Sequence, residues 1–196
     1  MREGGGGEAL TFVPQVRYYD PLPWDTLKRE FSVPAKMMQG YPVLFLDQPL
    51  WTVNGLDFPA TKRLLVAFFR KLKRMGLDIH LKPHPQFHDN TSLEDHEELF
   101  SLAPFPNWMP SQLICDQYRA VLFFFSTSVE AADKNTRFTL FPIIKFKDDE
   151  SGRLSHQYTK DILSCFGGVA GEISPDDMDH WASVIAKAVK HSEYDT

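Results

Sequence analysis

Residues 120–135 read AVLFFFSTSVEAADKN, and the fold class turns on how that stretch is understood. A strand with one solvated face alternates apolar and polar side chains. An unbroken apolar run from Ala120 to Phe125 instead predicts a strand buried on both faces, as in a parallel sheet. The strand, 120–126, ends in three hydroxyl residues, Ser126-Thr127-Ser128, and 127–135 reads as a helix beginning at its end. Strand passing directly into helix is the repeating unit of α/β folds.

Working outward, PVLFLDQPL (42–50) is a second continuous apolar run, stopped by a proline. In PATKRLLVAFFRKLKRMG (59–76), Leu64, Leu65, Phe68, Phe69 and Leu72 recur at helical spacing, and Gly76 marks a stop. LDIHLKP (77–83) reads as a strand, 92–101 and 110–118 as short helices, and 138–146 as a strand whose Pro142 suggests an edge or bulge. HQYTKDILSCFGG (156–168) reads as a helix closed by glycines. For 174–191 the helix is signalled by Ser174 as cap, Pro175 in the first turn, and Asp176 and Asp177 at the positive end of the dipole. Alternating strands and helices predict a Rossmann-like parallel sheet flanked by helices, with ligands bound beyond the carboxyl ends of the strands. Residues 1–40, rich in Pro, Gly and aromatics, read as a connecting arm with one short helix at 25–31. The EGGGG stretch at 3–7 reads as a flexible connector or, although no strand precedes it, as a phosphate-approaching loop.

Composition narrows the function classes. The chain has 196 residues, enough for one well-cored domain, with 43% hydrophobic and 24% charged residues. A net charge of −5, with no basic stripe interleaved with aromatics, argues against nucleic acid as a partner. Cys115 and Cys165 have neither disulfide-framework nor zinc-site spacing. No signal peptide or 18-residue apolar run is legible, so the expected location is cytoplasmic, at most peripheral at a membrane face.

Two strand ends carry unusual chemistry. In IHLKPHPQF (80–88), Pro83 and Pro85 restrain the backbone around His84, and Lys82 projects to the same side of an extended chain. A histidine there can donate a proton to a leaving group or pair with an anion; a plain strand-end turn explains the same residues. His80, His84 and His88 are four apart, but the prolines forbid a helix. On a strand they would stand about 13 Å apart, so no metal site is expected. Hydroxyls and unpaired N–H groups at Ser126-Thr127-Ser128 suit a phosphate, although a simple helix cap also explains one of them. Asp47 and Gln48 read as lining the cleft mouth or as a strand-end turn, and Asp148, Asp149 and Glu150 as a solvated loop, with ligand contact the lesser alternative.

KPHP followed about 40 residues later by STS at a strand–helix junction resembles the HP and Ser/Thr motifs of bacterial sialyltransferases and polysialyltransferases. PVLFLDQPL and 109–131 resemble the donor-binding half of that group. The resemblance implies one half of a GT-B fold, with 41–196 as the nucleotide-sugar-binding domain and 1–40 as an arm or remnant of the preceding domain. It implies CMP-sialic acid as donor, a bacterial surface glycan as acceptor, and no metal or other cofactor. His84 would be general acid to the leaving phosphate. Donor binding would fall to Lys82, Pro85, Gln112, Ser126, Thr127 and Ser128, with Gln112 standing where relatives carry a ribose-binding glutamate. The base, which that group takes from an acidic-acidic-glycine motif, has only Glu3 of Arg2-Glu3-Gly4 as a candidate remnant. A partner chain or a second copy would then complete the cleft. The competing expectations are a capsule or teichoic-acid type transferase, a non-catalytic nucleotide-binding or docking module, and a plain α/β domain.

Overall fold

The computed structural model describes residues 24–33, 41–87, 91–165 and 168–191. Six strands, β1 (Tyr41–Leu46), β2 (Ile79–Lys82), β3 (Ser101–Leu102), β4 (Tyr118–Phe123), β5 (Arg137–Thr139) and β6 (Gly171–Glu172), form one sheet in the order β3-β2-β1-β4-β5-β6. Every neighbouring pair is parallel. This is the Rossmann-like order, whose direction of winding reverses between β1 and β4. Among the described residues the α-helices are α1 (Trp24–Glu30), α2 (Phe58–Arg74), α3 (Asp149–Cys165) and α4 (Met178–His191).

Strand side chains alternate between two apolar layers. Val43, Phe45, Leu81, Leu122 and Phe138 face α2 and α4, where Leu65, Phe68, Phe69, Leu72, Ala182 and Ile185 are all buried. Leu44, Leu46, Val121 and Phe123 face the other way, onto Phe105, Met109, Leu113, Ile114 and Val129, with Leu163 of α3 and Leu27 of α1 completing the layer. Both faces of the sheet are therefore covered, which is why its central strands read as unbroken apolar runs.

The ends of α2 follow local chemistry. The Asp57 carboxylate accepts from the Ala60 N–H at 3.0 Å, with Pro59 in the first turn. At the other end Gly76 has φ +76; its N–H reaches Lys73 O at 2.9 Å, while that of Leu77 reaches Leu72 O at 3.2 Å. That paired pattern is a Schellman motif, which needs a left-handed residue and so favours glycine.

Several sequence-based expectations are corrected. No α-helix spans 127–135; the chain forms 3₁₀ turns at Thr127–Ala131 and Lys134–Thr136. The reason lies in Arg137, whose guanidinium takes the Glu130 and Ala132 carbonyls, which α-helical N–H groups four residues on would otherwise use. Residues 110–118 likewise hold two 3₁₀ turns, Ser111–Leu113 and Cys115–Gln117, and 92–101 holds one, Glu97–Leu99. The strand expected over 138–146 ends at Thr139, followed by a 3₁₀ turn around Pro142. Asp148 and its neighbours are no loose loop. The Asp148 carboxylate accepts from the Ser151 N–H at 2.7 Å and the Ser151 hydroxyl at 2.9 Å, starting α3 well before His156. Helix α4 starts at Met178, and the Ser174 hydroxyl donates to Asp177 rather than capping that helix directly.

Among the described residues no helix is long and apolar enough to cross a membrane. Glu3 and the glycine run at 4–7 lie outside the described residues.

Candidate functional site

The registers set the geometry of the site. Leu46 pairs with Lys82, and Phe45 pairs with Leu122, so β1, β2 and β4 end at one level. The segments leaving these strands, Asp47-Gln48, Pro83-His84 and Phe124 to Ser128, diverge where the winding reverses. A crevice opens there, as expected for a doubly wound sheet. It is a cleft of about 500 Å³ lined by Lys82, His84, Pro85, Gln112, Ser126 and Ser128, all expected from the sequence to serve one site. Asp47, Gln48, Ser111, Trp108 and Tyr158 also line it. A second cleft, of about 410 Å³ beside β3, is lined by Glu94 and Glu97 and is unsuited to an anion.

His84 opens a β-turn. Its carbonyl accepts from the Phe87 N–H at 2.9 Å, with Pro85 in the second position that proline favours. The Gln86 N–H donates to His84 Nδ1 at 3.3 Å. A ring nitrogen accepts only when it carries no proton, so in the neutral ring the proton sits on Nε2. His84 is half-buried, and its ring lies 5.8 Å from that of Phe87. The prolines thus supply a turn that fixes the tautomer, rather than the wholly extended segment expected.

Lys82 differs from expectation. Its side chain is buried, and Nζ donates to Asn107 O at 2.6 Å and Pro106 O at 3.2 Å. Burial lowers its pKa to about 8. The ammonium borders the cleft, but two of its three donors are directed to the 103–110 loop.

The Ser126–Ser128 segment is held from three sides. Gln48 Oε1 accepts from the Phe125 N–H at 2.9 Å, the Thr139 hydroxyl donates to Phe124 O at 2.8 Å, and Arg137 holds the carbonyls of 130 and 132. Ser126 Oγ accepts from the Ser128 N–H at 3.2 Å. The expected cradle of α-helical N–H groups is therefore replaced by a pinned 3₁₀ turn with hydroxyls on its rim. Behind it, the buried Cys115 thiol, its pKa pushed up by burial to about 12, donates to Ser128 O at 3.6 Å. The side chain of Thr127 lies outside the described residues.

Asp47, expected at the cleft mouth or in a strand-end turn, is the residue whose burial sequence reasoning missed. It is buried at the cleft floor, where its carboxylate accepts from the Ser92 N–H at 2.8 Å and the Gln48 N–H at 2.9 Å. Burial raises its pKa to about 6 despite those bonds. A carboxylate ending an apolar strand next to Gln-Pro was the available signal. Trp108 and Tyr158 were missed as well; Trp108 stands between two prolines in PNWMP, a pattern suggesting a rigid outward turn.

The cleft thus combines a proton-bearing histidine nitrogen, the hydroxyls of Ser111, Ser126 and Ser128, an amide at Gln112, a buried carboxylate and aromatic surface. Comparison with protein-family models, curated proteins and solved structures finds no match for this chain.

Proposed function

We propose that the cleft binds the nucleotide of CMP-sialic acid or a related nucleotide sugar, and that the chain is the donor-binding domain of a metal-independent inverting glycosyltransferase. The observation that carries this reading is the convergence of His84, Ser126, Ser128 and Gln112 on one cleft where β1, β2 and β4 end together. In transfer, an acceptor hydroxyl attacks the anomeric carbon as that carbon's bond to the phosphate oxygen breaks. The Nε2–H of His84 donates a hydrogen bond to the departing phosphate, which leaves with the electron pair of the broken bond as CMP, and a base takes the acceptor proton. Ser126 and Ser128 hydroxyls hold the phosphate, and Gln112 bonds a ribose hydroxyl, more weakly than a carboxylate would. The GT-B arrangement, the glycan acceptor, the base at Glu3 and a second chain or domain closing the cleft belong to this proposal, supported by the motif resemblance.

The test is calorimetric titration of CMP, UDP, CDP and GDP into the chain and into the His84→Ala and Ser126→Ala variants. Expected is CMP-selective binding, weakened roughly tenfold or more by His84→Ala, the scale of a hydrogen bond to a charged group. Binding of none of the nucleotides would sink the proposal. Preference for CDP would favour a polyol-phosphate transferase instead.

A further inference from the structure

The cleft mouth carries two large aromatic side chains that the phosphate chemistry does not use. Trp108 is 63% exposed and Tyr158 64% exposed, and both line the same cleft. Trp108 does not owe its exposure to a loose loop. Its neighbours Phe105 and Met109 are buried, Ala103 N–H bonds Leu81 O at 2.9 Å, and Met109 N–H bonds Pro106 O at 3.0 Å. The two carbonyls immediately before the indole are those that Lys82 Nζ holds. Phe31 packs against the indole with ring centroids 5.9 Å apart. Tyr158 is presented from α3, whose Thr159 and Leu163 face the interior.

Holding a tryptophan outward has a cost in exposed apolar surface, and here a buried lysine and a second aromatic ring enforce it. We infer that Trp108 and Tyr158 form an aromatic clamp for the nucleobase of the ligand, and that Lys82 is a positioning residue that sets Trp108 through the 106–107 carbonyls. Stacking on a base's π-face tolerates any base and needs no hydrogen-bond readout, so the clamp adds affinity while other groups choose the base. The inference rests on the proposal that the cleft takes a nucleotide.

The experiment compares CMP with ribose 5-phosphate, which keeps the phosphate and lacks the base. Binding to the wild-type chain and to the Trp108→Ala, Trp108→Phe, Tyr158→Ala and Lys82→Met variants is followed by calorimetry, together with tryptophan fluorescence. Removing one stacked base contact should lower CMP affinity about five- to 150-fold, with ribose 5-phosphate unaffected, and Trp108→Phe should recover most of the loss. Lys82→Met should follow Trp108→Ala in that pattern; equal weakening of both ligands would make Lys82 a phosphate contact instead. CMP should change the fluorescence of the wild-type chain and not of Trp108→Phe, a readout that decides the matter even where ribose 5-phosphate binds below detection. CMP binding indifferent to Trp108 and Tyr158, with no fluorescence change, overturns the clamp and leaves the nucleotide site standing. No CMP binding to the wild-type chain overturns both. Melting temperatures confirm folding, since both aromatic side chains are largely exposed.

Discussion

Replacing Asp47 by Asn should change how stability depends on pH, in a direction the structure fixes. The Asp47 carboxyl is buried, and its pKa is raised from 3.8 to about 6. The folded protein therefore holds this proton more tightly than the unfolded chain. The resulting stabilisation is fully present below about pH 3.8 and is lost as pH rises through about 6. At 1.36 kcal/mol per pH unit the full span is worth about 3 kcal/mol, of which about 2 kcal/mol falls between pH 4.5 and pH 7. An asparagine is neutral throughout and keeps one oxygen to accept from Ser92 or Gln48. Asp95 and Asp148, both lowered by hydrogen bonds, act with opposite sign in both proteins and cancel in the comparison. Urea unfolding of the wild type and Asp47→Asn at a series of pH values gives the difference directly. The variant should gain about 2 kcal/mol relative to wild type between pH 4.5 and pH 7. A difference that stays constant across that range would refute the burial argument.

Three further outcomes follow from particular contacts. A Cβ on Gly171 would lie 2.2 Å from Trp181 Cζ3, so Gly171→Ala should cost about 1–3 kcal/mol, read as a lowered melting temperature; an unchanged midpoint would contradict the packing. Gln48→Ala removes the acceptor for the Phe125 N–H and should cost about 1–2 kcal/mol in urea unfolding; CMP binding should weaken with it, because Ser126 is the next residue. In Lys82→Met the stability gained by wild type between about pH 8 and 10.5 should vanish. The depressed pKa means that the unfolded chain binds this proton more tightly, so wild-type stability rises with pH there.

The central strands and the helices α2 and α4 were legible because burial on both faces, or on one stripe, writes itself into the apolar pattern. The order of the strands was not, since pairing β1 with β4 joins residues far apart in sequence. Strands β3 and β6, two residues each, are too short to carry a period. The misread helix after Phe125 shows a different limit. Val129, Glu130, Ala131 and Ala132 invite a helix, but Arg137 from β5 holds two of its carbonyls, and no local pattern announces a side chain arriving from the next strand. At the site, His84 and Ser126 stood out because prolines, clustered hydroxyls and strand-end placement are local, whereas Gln112 was named only through the motif resemblance. The burial of Lys82 was not legible because its partners, Pro106 and Asn107, lie 24 and 25 residues away. Asp47 was legible as a cleft-mouth or turn residue, but its burial was not, because that depends on Ser92, 45 residues on.

The claim that the crevice beyond β1, β2 and β4 is the nucleotide site is tested most directly by locating bound CMP on the chain. Backbone amide chemical shifts of the isotopically labelled protein should move on CMP addition at Asp47 and Gln48, at His84 and Gln86, at Gln112, and from Phe125 to Ser128. In His84→Ala the same residues should respond only at higher CMP concentration. Shifts concentrated instead around Glu94, Glu97 and Leu102, or none at saturating CMP, would contradict it.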